Sequence, residues 1–335
     1  MINLSTGSCQ TPSWRAELIA AVSDPLQLLG LLNVDAQAMP RLPVAGRFSL
    51  RVPLSFVKRM RRCDPHDPLL RQVWPCHEEH APQPGFSADP VGDLRAMPIP
   101  GVVHKYAGRV LLIITGACAI HCRYCFRAHF PYHEAVVRPR RWEPALEYVA
   151  ARPDITEVIL SGGDPLVIPD DRLSGLARAI SHIPHVRRLR IHTRLPALIP
   201  SRIDDALLAW LSGTRLKTVM VLHVNHANEV DEGLREALQR VRDAGATLLN
   251  QAVLLRGVND SADSLVALSE VLFDAGVAPY YLHLLDRVQG AAHFEVPEQE
   301  AITLLRQVSS RLPGYLVPRL ARETAGAAAK TVVGT

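Results

Sequence analysis

Three cysteines, Cys118, Cys122 and Cys125, stand in the run Cys-Ala-Ile-His-Cys-Arg-Tyr-Cys, directly after an apolar, strand-like stretch. Their spacing gathers three soft thiolates around one small volume, which is the chemistry of a metal cluster. With three thiolates instead of four, one iron of a four-iron cluster keeps an open coordination position, where a substrate or cosubstrate can bind metal. Two plainer readings stay open on these residues alone. One is a zinc knuckle assisted by His121 or His129, although zinc sites commonly close on two well-separated pairs and no second pair follows here. The other is a trio of buried structural cysteines. Cys9, Cys63 and Cys76 are scattered and read as ordinary semi-buried thiols.

Further along, Ser161-Gly162-Gly163-Asp164-Pro165 combines glycines, which let backbone approach a ligand closely, with a carboxylate able to pair with an ammonium. The same residues suit a tight turn at a strand end. His223 and Gln251 are polar residues of strand ends, and Lys330 follows Gly326-Ala-Ala-Ala in an alanine-rich stretch. Taken singly, they fit a satisfied polar pair and a surface lysine as well as a ligand site.

The elements that must position these residues alternate. From Arg109 onward, β-branched runs cover Arg109 to Thr115, Glu157 to Ser161, Arg188 to Thr193, Thr218 to Val224, Thr247 to Leu254 and Ala278 to Leu285. Between them, Glu229 to Ala244 sets Val230, Leu234, Leu238 and Val241 on one stripe, and Ser261 to Ala275 repeats the pattern with Leu265, Leu268, Val271 and Leu272. Both helices stop at a glycine, Gly245 and Gly276, free to take the positive φ of a helix end. Repeated βα units imply a parallel sheet, and six are too few for a closed eight-stranded barrel. The expected fold is α/β, a partial (β/α)6 barrel with its active site at the carboxyl ends of the strands. The motifs fall there: the cysteines follow the first strand, the Gly-Gly-Asp-Pro segment follows the second, and His223 and Asp286 end the fourth and sixth.

Residues 1–95 differ from the rest. Trp14 to Leu32 carries apolar residues at helical spacing, and prolines at 75, 82, 84, 90, 98 and 100 close the region. It reads as a mainly helical N-terminal extension and linker, followed by a barrel over residues 96–320 and a C-terminal segment, 321–335, that carries Lys330. With 335 residues, 48% of them hydrophobic, the chain can bury one major core with an extension. The first residues lack a basic region followed by an apolar one, and no run of about 18 apolar residues occurs, so neither secretion nor membrane partners are expected. Reduced cysteines point to the cytoplasm. The net charge of +4 is small for this length, and Arg59, Arg61 and Arg62 read as a solvated face, so no nucleic-acid partner is expected.

The cysteine spacing together with Gly-Gly-Asp-Pro after the second strand resembles the radical S-adenosylmethionine enzymes. Arg109-Val-Leu-Leu-Ile-Ile-Thr, Asn250-Gln-Ala-Val-Leu-Leu-Arg-Gly-Val-Asn-Asp260 and Lys330-Thr331 look like the lysine 2,3-aminomutase family, over about residues 100 to 335. Within it, Leu284-Leu-Asp-Arg-Val-Gln-Gly-Ala-Ala-His-Phe294 and Gly314-Tyr-Leu-Val-Pro-Arg-Leu-Ala-Arg-Glu323 look most like the short bacterial branch associated with (R)-β-lysylation of elongation factor P.

The resemblance implies a barrel of the radical S-adenosylmethionine type and a role for each residue. Cys118, Cys122 and Cys125 would hold a 4Fe-4S cluster that cleaves S-adenosylmethionine to a deoxyadenosyl radical. Gly162, Gly163 and Asp164, with Ser161 beside them, would receive its amino group, and His223 and Gln251 would lie near its adenosyl part. Lys330 would be the catalytic lysine carrying pyridoxal 5′-phosphate, with Lys105, Tyr106 and Arg109 at the phosphate. Arg127 would receive the substrate α-carboxylate, and Asp286 and Glu323 the distal ammonium of L-lysine. Lys105 stands where longer relatives commonly have arginine, Glu323 where they have aspartate, and alanines precede Lys330 where many have glycines. The implied enzyme is an isomerase that draws on an electron donor and makes (R)-β-lysine for an elongation factor P lysine ligase. Alternatives are an aminomutase of another pathway, a radical S-adenosylmethionine enzyme without pyridoxal phosphate, and a non-catalytic metal-cluster sensor.

Overall fold

The computed structural model describes residues 13–43, 49–136 and 142–334. Cys9 lies outside them. Strands β1 (Val102–Tyr106), β2 (Arg109–Thr115), β3 (Glu157–Gly162), β4 (Arg188–Thr193), β5 (Lys217–Leu222), β6 (Thr247–Val253), β7 (Ala278–His283), β8 (Arg319–Arg322) and β9 (Thr331–Val332) form one sheet in sequential order. From β2 to β8 the strands run parallel, while β1 and β9 add antiparallel edges. Among the described residues β1 and β9 do not pair with each other, so the barrel is open.

The six expected strands are β2 to β7, and the fold is the expected α/β partial barrel. Three strands go beyond the expectation for a physical reason. β1 reads Val-Val-His-Lys-Tyr and β8 Arg-Leu-Ala-Arg, too short and polar to alternate clearly, and β9 has only Thr331 and Val332. Backbone pairing with a neighbour, not side-chain pattern, makes them strands.

Crossover helices begin at side-chain caps. Asp231 accepts a hydrogen bond from Leu234 N at the start of Glu232–Asp243, and Ser261 from Ser264 N at the start of Ala262–Asp274. Both helices end before a glycine at positive φ, 88° at Gly245 and 75° at Gly276. Among the described residues no helix is long and apolar enough to cross a membrane.

The stretch Trp14 to Leu32 is two helices, Trp14–Ile19 and Pro25–Leu32. Asp24 caps the second, and Pro25, lacking an N–H, suits a first helical position but not the interior of a longer helix. These helices belong to the same hydrophobic core as the barrel, which runs from Trp14, Leu28 and Phe56 through the strands to Val333. Arg59 corrects the expectation of a solvated face. Its side chain is 7% exposed, and its guanidinium donates to Leu198 O at 3.1 Å and Glu229 O at 2.5 Å.

The N-terminal segment also grips the cysteine run. His121 N donates to Arg51 O at 3.1 Å and Arg123 N to Gln72 O at 2.9 Å. The Arg123 guanidinium, fully buried, pairs with the Glu79 carboxylate, its Nε 2.7 Å from Oε1. Breaking a buried pair strands a charge, whereas replacing both partners by apolar groups does not. Glu79→Ala is expected to lower unfolding free energy by about 3–5 kcal/mol, measured by urea denaturation, and Glu79→Leu with Arg123→Met to recover most of that loss.

Candidate active site

The carboxyl ends of the parallel strands bring the motif loops together. Beyond β2 and β3 the backbones interlock: Gly163 N donates to Thr115 O at 2.7 Å and Asp164 N to Ala117 O at 2.8 Å. A Cβ on Gly162, where φ is +136°, would lie 2.2 Å from Thr115 O, and one on Gly163 2.2 Å from Ala117 O. The two glycines are therefore required by contact between the loops.

Asp164 is the hub of this corner. Its Oδ1 accepts from Leu166 N at 3.0 Å and Thr193 Oγ1 at 2.7 Å, and its Oδ2 from Arg194 N at 2.7 Å and Leu195 N at 2.9 Å. Burial raises its carboxyl pKa, and these four bonds oppose the rise. Expected to pair with an ammonium, the carboxylate instead has all its acceptor positions engaged by the framework. The reason is the turn chemistry that the Gly-Gly-Asp-Pro segment also suits.

A cavity of about 400 Å³ opens beside this corner, and every expected site residue lines it. Cys118, Cys122 and Cys125 lie there with Ser161, Gly162, Gly163 and Asp164; His223 and Gln251 face it from beyond β5 and from β6; Lys105, Tyr106, Arg109, Arg127, Asp286, Glu323 and Lys330 complete the set. Among the described residues no three His, Cys, Asp or Glu side chains converge on a single ion. The three cysteines share this cavity, and soft thiolates of that number suit an iron-sulfur cluster.

Charges along the wall alternate. Lys330 Nζ lies 3.3 Å from Glu323 Oε2; Glu323 Oε1 lies 2.8 Å from Lys105 Nζ; Lys105 Nζ lies 2.6 Å from Asp93 Oδ1; and Asp93 Oδ2 lies 2.8 Å from Arg127 Nε. Burial disfavours the Asp93 carboxylate, but Arg127 and Lys105 outweigh it and hold its pKa low. Lys105 also donates to Val91 O at 2.8 Å, which engages all three ammonium hydrogens and gives this lysine to the acids, not to a phosphate. Asp286 stands apart. Burial and the negative charge of Glu323 push its pKa up to about 7, against the pull of Lys330 and Lys105.

Glu323 and Lys330 meet because of the β8–β9 hairpin. Arg322 pairs with Thr331 in register, so the two residues face each other across its neck. Lys330 Nζ also lies 3.2 Å from His283 Nε2 and 5.4 Å above the Tyr281 ring. His192, His223 and His283 are held neutral mainly by burial, His223 down to about 3, with nearby cations adding to the effect. His223 Nε2 and Gln251 Nε2 are 2.8 Å apart.

Several groups on the wall fit an anionic or polar ligand. Arg109 stacks 4.6 Å over Tyr106 and has no carboxylate partner among the described residues, which suits a phosphate. His192 Nε2 and Arg194 Nε are buried without a partner, and buried polar atoms rarely stay so. With Lys330 in the same cavity, Arg109 and Tyr106 fit the phosphate of pyridoxal phosphate, as the cysteines fit the cluster.

Asp93, His192, Arg194 and His283 were not expected. His192 and His283 follow from the strand period, since alternate residues face the barrel interior: Arg190 and His192 in β4, Gln251 and Val253 in β6, Tyr281 and His283 in β7. Asp93 lies in an aperiodic linker and Arg194 in a corner turn, where no local pattern marks them.

Comparison with known proteins agrees with this geometry. The Radical SAM superfamily model matches residues 112–268. An L-lysine 2,3-aminomutase of Escherichia coli is 51% identical over 329 residues, covering 96% of this chain and 95% of that one. One of Haemophilus influenzae is 47% identical, with 96% and 95% covered. One of Clostridium subterminale is 35% identical over 271 residues, with 81% of this chain but 65% of that one covered. Identity of this depth over nearly the whole length shows that the chain belongs to the L-lysine 2,3-aminomutase family, isomerases of the radical S-adenosylmethionine superfamily.

Proposed function

We propose that this chain converts L-lysine to (R)-β-lysine with a 4Fe-4S cluster, S-adenosylmethionine and pyridoxal phosphate, in the cytoplasm, for an elongation factor P lysine ligase. The observation that carries the reading is the placing of opposite charges on one wall, Arg127 near the cysteines and the acids Glu323 and Asp286 beside Lys330. A substrate with a carboxylate at one end and an ammonium at the other matches that polarity. When bound, the cluster with S-adenosylmethionine supplies a hydrogen-abstracting radical, and pyridoxal phosphate supplies a partner for the migrating amine.

The chain's own residues bind, orient and insulate. Asp93 and Ser161 fix the Arg127 guanidinium through Nε and Nη1, which leaves Nη2 to receive a carboxylate. Glu323 holds the Lys330 ammonium, so a substrate ammonium competes with Lys330 for that acid. Neutral histidines and the Tyr280 and Tyr281 rings line the rest, keeping charge and water from a radical. Support for the branch comes from identity: 51% and 47% to the E. coli and H. influenzae relatives against 35% to the clostridial one.

Anaerobic turnover of the reconstituted enzyme with L-lysine, read by chiral chromatography, is expected to give (R)-β-lysine. Lys330→Ala and Cys122→Ala should each lose about a thousandfold or more, as expected of groups the reaction cannot bypass. An (S) product would overturn the branch assignment; S-adenosylmethionine cleavage without β-lysine would overturn the substrate.

Asp286 generates a pH dependence. Its folded pKa of about 7 exceeds the ordinary carboxylate value, so the stability it contributes is present at low pH and is lost as pH rises through about 7. A bound ammonium pairs with the ionised form and offsets that loss. L-Lysine should therefore raise the melting temperature more at pH 8 than at pH 6, with KM falling over the same range, and Asp286→Asn should flatten both trends.

A further inference from the structure

Arg194 lies just past β4, only 5% exposed, and its guanidinium reaches the cysteine run. Nη1 is 2.8 Å from Cys122 Sγ and 2.6 Å from the Tyr124 hydroxyl; Nη2 is 2.7 Å from Gln72 Oε1 and 3.1 Å from Glu229 Oε2. The fork thus sits between a sulfur on one side and a carboxylate on the other. Its aim is set by Asp164, which holds the Arg194 backbone N–H at 2.7 Å, and by the Tyr124 and Phe56 rings beneath the guanidinium. Glu229 is fixed as firmly, its Oε1 accepting from Asn225 N at 3.0 Å, His226 N at 3.2 Å and Gln72 Nε2 at 3.1 Å.

We propose that Arg194, counterbalanced by Glu229, sets the reduction potential of the cluster through its contact with the Cys122 sulfur. The inference rests on the reading that Cys118, Cys122 and Cys125 hold the cluster. Taking up an electron adds negative charge to the iron-sulfur core and its thiolates. A buried cation that donates to one thiolate stabilises that reduced form and raises the potential, in a dry setting where the effect is weakly screened. A carboxylate behind the cation acts in the opposite sense. Arg194 acts through Cys122 and is a positioning residue, not one that touches the reacting atoms.

The sign of each charge gives a test that a packing role would not mimic. Full-length protein is reconstituted anaerobically, and the midpoint potential of the cluster is followed by electron paramagnetic resonance during a redox titration. Arg194→Gln is expected to make the potential more negative and Glu229→Gln less negative, with Arg194→Lys near the wild type. If Arg194→Gln takes up no cluster, Glu229→Gln decides alone: a positive shift supports the proposal and an unchanged potential overturns it. Equal potentials in all loaded variants overturn it and leave the functional reading standing. Failure of the wild type to bind a four-iron cluster overturns both.

Discussion

Asp164 is the interaction on which the site depends. One buried carboxylate joins the loops after β2, β3 and β4: its own N–H bonds Ala117, while its oxygens bond Leu166, Thr193, Arg194 and Leu195. Strand ends in a parallel sheet leave unpaired backbone donors, and an acceptor with four positions satisfies several at once. The cysteine loop, the glycine turn and the Arg194 corner thus share one reference point. A ligand bound among them meets a surface whose parts do not shift independently.

The second constraint is electrostatic. Charges out of water persist when each is shared between opposite neighbours, and Lys330, Glu323, Lys105, Asp93 and Arg127 do this in a continuous row. The row draws on the linker before β1, on β1 itself, on the cysteine loop and on the C-terminal hairpin. Burial is the largest influence on both Asp286 and Glu323, but only at Glu323 do the paired Lys330 and Lys105 outweigh it and hold the pKa low.

What the sequence made legible follows from how local each signal is. β2 to β7 declare themselves by β-branched runs, and the helices before Gly245 and Gly276 by their stripes and their ends. The cysteines are marked by spacing alone. The convergence of Lys330, Arg127 and Asp286 on one cavity was readable through family resemblance, because they stand in widely separated segments. Asp93 and Arg194 stayed hidden, since an ion pair with Lys105 and a contact with Cys122 arise only once distant segments fold together. The same holds for Asp164, whose four partners depend on β4 lying beside β3.

The β8–β9 hairpin has a bearing on biosynthesis. The cysteine run, the glycine turn and the parallel strands through β7 all precede Glu323 and Lys330 in the chain. A ribosome therefore releases the barrel wall before the hairpin that fits across it, so the nascent polypeptide has its cysteine pocket before it has the lysine. Order is written into the topology: the cysteine run is synthesised early, and the hairpin that brings Glu323 and Lys330 to the shared cavity is the last pair of strands to be added.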